Sequence, residues 1–125
     1  MDIVAFGREH VVRAEALARA GYLEERSFCG ALPEYEGLDL KEFAGNGMGV
    51  VALSGGELAG FLCAGAPFEN AFGSTGVRGA FSPMGAHGAL REGRAGIYAA
   101  MYRAAGDMWV RAGALSHAVG LYASD

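Results

Sequence analysis

Apolar residues recur along this chain at two spacings, and the spacing assigns most of its elements. Met1 to Phe6 is a short apolar run suited to a first strand. From Glu9 to Glu25, Val12, Ala16, Ala20 and Leu23 recur at helical intervals while Arg13, Glu15 and Arg19 fall on other faces, which predicts a helix. Ser27 to Gly37 holds Gly30 and Pro33 and reads as a loop, and Leu38 to Ala44 is long enough for a short second helix stopped by Gly45-Asn46-Gly47. Met48 to Leu53 and Glu57 to Ala64 are apolar runs joined by Ser54-Gly55-Gly56, the signal of a tight antiparallel hairpin, because glycine tolerates the positive φ such turns need. Ala66 to Thr75 reads as a loop with partly buried aromatics, and Gly76 to Ser82 as a third meander strand antiparallel to its predecessor. Arg94 to Ala112 is the strongest helix, with Ile97, Met101, Ala105 and Met108 on one face and Gly113 as its stop. Ser116 to Tyr122 is a last strand.

The order is therefore β-α-α-β-β-β-α-β. The central meander is antiparallel, and the strand after the long helix calls for a right-handed parallel crossover. This is an α+β domain with a mixed, mostly antiparallel sheet and flanking helices, not a doubly wound one.

Composition narrows the class. The 125 residues fit one domain, 52% of them are hydrophobic and 19% charged, and the net charge is −4 with scattered basic residues. That balance argues against a nucleic-acid or anionic-membrane surface. No apolar run approaches the roughly 20 residues that span a bilayer, and the N-terminus lacks the basic region of a signal peptide, so a cytoplasmic protein is expected. Cys29 and Cys63 stand alone without metal spacing and read as reduced thiols, Cys63 as a small core residue. Glycine is in excess, at 21 of 125 residues, and clusters between short elements as punctuation, most densely from Gly73 to Gly96.

Candidate chemistry lies in that cluster. A strand ending at Phe81-Ser82-Pro83, a loop Arg91-Glu92-Gly93-Arg94-Ala95-Gly96, a helix and a final strand make an arrangement that can hold a phosphorylated cofactor. Amides at a helix start lack intrahelical acceptors, and the helix dipole favours an anion there.

With that arrangement, the chain resembles the GNAT-type N-acetyltransferase superfamily, whose members transfer an acyl group from acetyl-CoA to an amine. Gly47 to Leu62, with Ser-Gly-Gly-Glu-Leu-Ala-Gly at its turn, is similar to the family's central hairpin. Gly79 to Pro83 resembles the end of its fourth strand, and the last helix and strand match its third helix and fifth strand. The resemblance implies a pyrophosphate loop of the form Arg/Gln-x-x-Gly-x-Gly/Ala. Arg91 matches its first position and Gly96 its last, while Arg94 stands where glycine is expected, with Ala95 between. Arg94 could fill the anion site itself or add a phosphate contact. Met84 to Leu90 are extra residues between Pro83 and the loop.

The implied cofactor residues are Phe81, Ser82, Arg91, Gly93, Arg94, Ala95 and Gly96, the implied co-substrate is acetyl-CoA, and the implied acceptor is a small amine. A backbone amide near Phe81 to Pro83 would polarise the thioester, and Tyr122 would lie where the thioester pocket opens. The family fold continues with another helix and two strands, so residues 1–125 are expected to form a single GNAT-like domain cut after its fifth strand, either the first half of a tandem protein or a natural minimal version. A degenerate cofactor loop and an isolated chain without activity follow from that reading. The alternative is a non-catalytic packing module, paired with a second such domain or with its own copy through a bare strand edge.

Other residues carry open readings. His10, His87 and His117 lie far apart without metal spacing, and His87 is either a base or a polar loop residue. His117 is expected to hydrogen-bond within the sheet. Ser82 lacks the nucleophile-elbow context of a hydrolase. Tyr98, Tyr102, Trp109, Phe68 and Phe72 are core or interface residues, or a wall against pantetheine. Glu24, Glu25, Glu34 and Glu36 are solvated charge or an acidic patch for a cationic acceptor.

Overall fold

The computed structural model describes residues 1–121. Its elements are β1 (Asp2–Ala5), α1 (Val11–Phe28), β2 (Gly49–Ser54), β3 (Glu57–Cys63), β4 (Gly79–Ser82), β5 (His87–Ala89), α2 (Arg94–Arg111) and β6 (Ser116–Val119). The fold is α+β. A four-stranded antiparallel sheet has the order β1-β2-β3-β5, and a two-stranded parallel ribbon pairs β4 with β6.

The β2–β3 hairpin forms where its glycines predict. Ser54 pairs with Glu57, and Gly55 (φ +58°) and Gly56 (φ +84°) take the left-handed conformations that the turn requires. Both faces of this hairpin are covered, so its strands read as continuous apolar runs. On one face α2 buries Ile97, Met101, Ala105 and Trp109 against Val50, Ala52, Leu62 and Ala64. Trp109 is fully buried and its indole N–H donates to the Met48 carbonyl at 2.8 Å. On the other face α1 packs Val11, Ala14 and Ala18 with Phe6, Val51, Phe61 and Cys63.

Four expectations need correction. First, the face of α1 marked by Val12, Ala16, Ala20 and Leu23 points outward; Val12 is 78% exposed. The helix is so rich in alanine that two faces are almost equally apolar, and the one with small Ala14 and Ala18 permits the closer approach to the sheet. Second, Leu38 to Ala44 yields only a single 3-10 turn, Leu40–Glu42, capped by the Asp39 carboxylate accepting from the Lys41 amide at 3.1 Å. Third, β4 is not the third strand of the meander. Apart from one antiparallel bridge between Phe68 and Gly79, its pairing is parallel, to β6. Fourth, the extra residues Met84 to Leu90 hold the strand β5 that completes the meander, His87 facing Leu62 and Ala89 facing Gly60. Gly85 (φ +95°) and an Ala86 N–H to Pro83 carbonyl bond at 3.0 Å turn the chain between the two strands.

The parallel crossover from β4 through α2 to β6 is as expected. The last strand is shorter, ending at Val119, and Tyr122 lies outside the described residues. No described helix is long and apolar enough to cross a membrane.

Candidate functional site

The loop from Arg91 to Gly96 runs from the end of β5 into the first turn of α2. Gly93 (φ +73°) is the N-cap, and the first intrahelical bond closes from the Ile97 amide to the Gly93 carbonyl at 3.0 Å. The amides of Ala95 and Gly96 lie ahead of that bond and have no acceptor within the helix. A Cβ built on Gly93 or Gly96 would meet nothing within 4 Å, so packing inside the chain does not require glycine at either position.

The loop forms one wall of a cleft of about 570 Å³, lined by Arg91, Gly93, Arg94, Ala95, Gly96 and Tyr98 and, from α1, by Glu24 and Phe28. Arg94 does not fill the helix start. Its side chain bends back, with Nε donating to the Ala89 carbonyl at 3.2 Å and Nη2 3.5 Å from Glu24 Oε2. Arg91 Nη1 lies 3.2 Å from Glu24 Oε1, and its guanidinium stands 5.8 Å from the Phe28 ring centroid. Two cations and the start of α2 thus line one cavity, and the Glu24 carboxylate contacts both cations.

The remaining two candidates lie elsewhere. Ser82 is fully buried, and its hydroxyl is 2.9 Å from His87 Nδ1. Phe81 is exposed on the opposite face of β4 and lines an apolar hollow of about 260 Å³ with Phe43, Phe68 and Pro83. The structure therefore brings Arg91, Gly93, Arg94, Ala95 and Gly96 together and leaves Phe81 and Ser82 off the walls of that cleft.

His87 forms the link between the two groups. It is buried, its ring stacks edge-on against Tyr98 at 6.1 Å, and it lines a small cavity of about 20 Å³ that shares Arg94 and Tyr98 with the cleft. The same small cavity shares Gly85 with a third space of about 430 Å³, walled by Tyr22, Tyr35, Glu34, Glu36, Leu38 and Met84. His87 thus stands at the junction of two larger openings. The edge of β5 runs beside it. The Cys63 amide bonds the Ala86 carbonyl and the Leu90 amide bonds the Ala59 carbonyl, so by antiparallel alternation the backbone groups of His87 and Ala89 turn away from β3.

Sequence reasoning did not place Glu24 and Phe28 in this site. Nothing local marks them, since their role depends on which face of α1 meets the sheet. The other histidines are structural. His10 Nδ1 accepts from the Gly7 amide at 3.0 Å, and His117, paired with Ala80 in the β4–β6 ribbon, bonds through its ring to the Tyr102 hydroxyl at 2.8 Å and the Ala114 carbonyl at 2.7 Å. Cys63 is buried, which pushes its thiol well above the ordinary range, and Cys29 is exposed; both are free. No metal-ligating cluster exists among the described residues.

Neither a family model nor a curated protein matches this sequence. Solved structures do match the fold. The ribosomal-protein-alanine N-acetyltransferase of Brucella melitensis biovar Abortus 2308 superposes over 97% of this chain and 80% of its own, with a TM-score of 0.63 at 16% identity. An aminoglycoside acetyltransferase from an uncultured soil metagenomic sample, solved in complex with sisomicin, covers 99% of this chain and 79% of its own at 13% identity and TM-score 0.59. Aminoglycoside N-acetyltransferase AAC(6')-Iy in complex with CoA covers 98% and 78% at 16% identity and TM-score 0.60. The architecture is that of the GNAT acetyltransferases, as the resemblance implied. This chain is thus a domain of GNAT acetyltransferase fold.

Proposed function

We propose that this chain binds acetyl-CoA in the cleft at the start of α2 and transfers its acetyl group to a small amine. The observation that carries the reading is the convergence of Arg91, Arg94 and the Ala95 and Gly96 amides on one cavity. Oriented amides at a helix start and two guanidinium groups are a donor set suited to a pyrophosphate. The open space at Gly93 and Gly96 fits close approach by a ligand to the main chain. Arg94 in a glycine position alters the loop without closing it, because its side chain is drawn aside to Ala89 and Glu24.

The chain's own groups supply the rest of the work. The backbone of His87 and Ala89 turns away from β3 along the route from the cleft toward Gly85, and the Ala89 carbonyl there accepts from Arg94 Nε. Bound acetyl-CoA would supply an acyl group already activated as a thioester. His87 is the base of the proposal: its imidazole, held 2.9 Å from Ser82 Oγ through Nδ1, takes the proton from an incoming ammonium group. Ser82 is then a positioning residue that orients the ring through this contact.

Calorimetric titration with acetyl-CoA tests the reading. Binding is expected in the micromolar range, with at least tenfold weakening on Arg91→Ala or Arg94→Ala. No heat at millimolar ligand would end it.

A further inference from the structure

We propose that Glu24 acts as an internal anion in the cofactor cleft, competing with the ligand's phosphates for Arg91 and Arg94; this rests on the acetyl-CoA reading above. Its carboxylate divides between the two guanidinium groups, Oε1 to Arg91 Nη1 at 3.2 Å and Oε2 to Arg94 Nη2 at 3.5 Å. Both distances are longer than the 2.7–2.9 Å of a well-made charge-assisted bond. A contact built to fix the arginines would be shorter and bidentate to one of them. This one satisfies two cations loosely.

The placement points the same way. Glu24 comes from α1, and the helix-start amides and both arginines come from the other wall, so the carboxylate spans the cavity that a pyrophosphate would enter. A pyrophosphate brings more oxygens and more charge to the same donors than one carboxylate does, so it displaces Glu24. The expelled carboxylate has water to go to, since its side chain is already 26% exposed. Glu24 therefore lowers cofactor affinity by placing its own negative charge against both guanidinium groups. It sets a threshold that a multiply charged ligand passes and a singly charged one does not.

The test compares wild type, Glu24→Gln and Glu24→Asp by calorimetry with CoA, inorganic pyrophosphate and acetate as probes, with circular dichroism to verify folding. Glu24→Gln keeps the shape and removes the charge, and is expected to bind CoA and pyrophosphate about tenfold more tightly than wild type and to gain acetate binding. Glu24→Asp keeps the charge, retracts it by one methylene and covers the case of a misfolded Gln variant; it is expected to fall between the two. Equal or weaker CoA binding by Glu24→Gln, with wild type binding well, overturns the competitor role and leaves the cofactor reading standing. Tighter pyrophosphate binding without any CoA binding upholds the competitor role and removes the cofactor reading. No binding of any probe to any variant overturns both.

Discussion

Gly60 decides how closely α2 approaches the sheet, and Gly60→Ala tests whether the site depends on that approach. An added Cβ would lie 2.8 Å from Ile97 Cγ2, 2.9 Å from Met101 Cε and 3.1 Å from the Gly88 carbonyl oxygen. Met101 Cε is the free end of a flexible side chain and yields easily. Ile97 does not, because a β-branched side chain in a helix has one strongly preferred χ1 rotamer. Restoring a carbon–carbon contact of about 3.5 Å therefore requires α2 to retreat by several tenths of an ångström. Overpacking of this kind costs roughly 1–3 kcal/mol. Alanine returns about 0.5–1 kcal/mol of backbone entropy relative to glycine in a strand. Because the rigid Ile97 cannot yield, the overpacking lies in the upper half of that range, and the net loss is about 1–2 kcal/mol. With an unfolding entropy near 2.1 cal/mol/K per residue, a domain of this length loses about 4 °C in Tm per kcal/mol, so a fall of about 4–8 °C is expected. Ile97 lies between Gly96 and Tyr98, which both line the cleft, and CoA binding should weaken along with the melt. Thermal denaturation followed by circular dichroism reads the first effect and calorimetry the second. The double variant Gly60→Ala/Ile97→Ala should lose less than the sum of its parts, since each change makes room for the other. A Tm within 1 °C of wild type for Gly60→Ala would refute the account.

Three further outcomes follow from the same geometry. His87→Ala should abolish most acetyl transfer to an accepted amine while leaving CoA binding within about threefold, and Ser82→Ala should lower kcat and move the pH profile; unchanged kcat in both would remove His87 as the base. Trp109→Phe removes the indole donor from the Met48 carbonyl, which keeps the Ala64 amide, and the lost hydrogen bond should cost about 0.5–1.5 kcal/mol in a denaturant melt. For Cys63, burial raises the folded-state pKa above the ordinary 9.0, so above that pH the unfolded chain releases a proton that the folded chain keeps. Stability should then fall as pH rises past 9, by up to about 1.4 kcal/mol per pH unit. Cys63→Ala should flatten that slope, and in the native protein a thiol reagent should modify Cys29 alone.

The parts that were legible in the sequence are those whose signal is local. The β2–β3 hairpin is encoded in Ser54-Gly55-Gly56, and α2 in the period of Ile97, Met101 and Ala105. The loop residues Arg91 to Gly96 are contiguous, so their gathering at one cleft follows once α2 is placed. Where the sequence misled, two alternatives carried nearly equal local signals. Alanines ring α1, so periodicity could not choose its buried face. The segment from Gly79 to Leu90 is apolar at both ends, and its division into one strand facing β6 and another facing β3 rests on the turn at Gly85, which only tertiary pairing fixes. Phe28 and Glu24, the latter read from sequence only as solvated charge or an acceptor patch, reach the cleft through that same orientation of α1 and were not placed there for the same reason.

The outward-turned backbone of β5 has a consequence for how this protein can change over time. A ligand that reads the main chain of β5 and the amides at Ala95 and Gly96 would make few demands on side-chain identity at Ala89, Ala95 and Gly96. Substitutions at those positions are tolerated provided the strand stays extended and the helix still begins at Gly93, whereas His87, Arg91 and Arg94 are held by the roles proposed for their side chains. Such a site preserves its shape while its letters drift, and kinship through it is better traced in backbone paths than in residues.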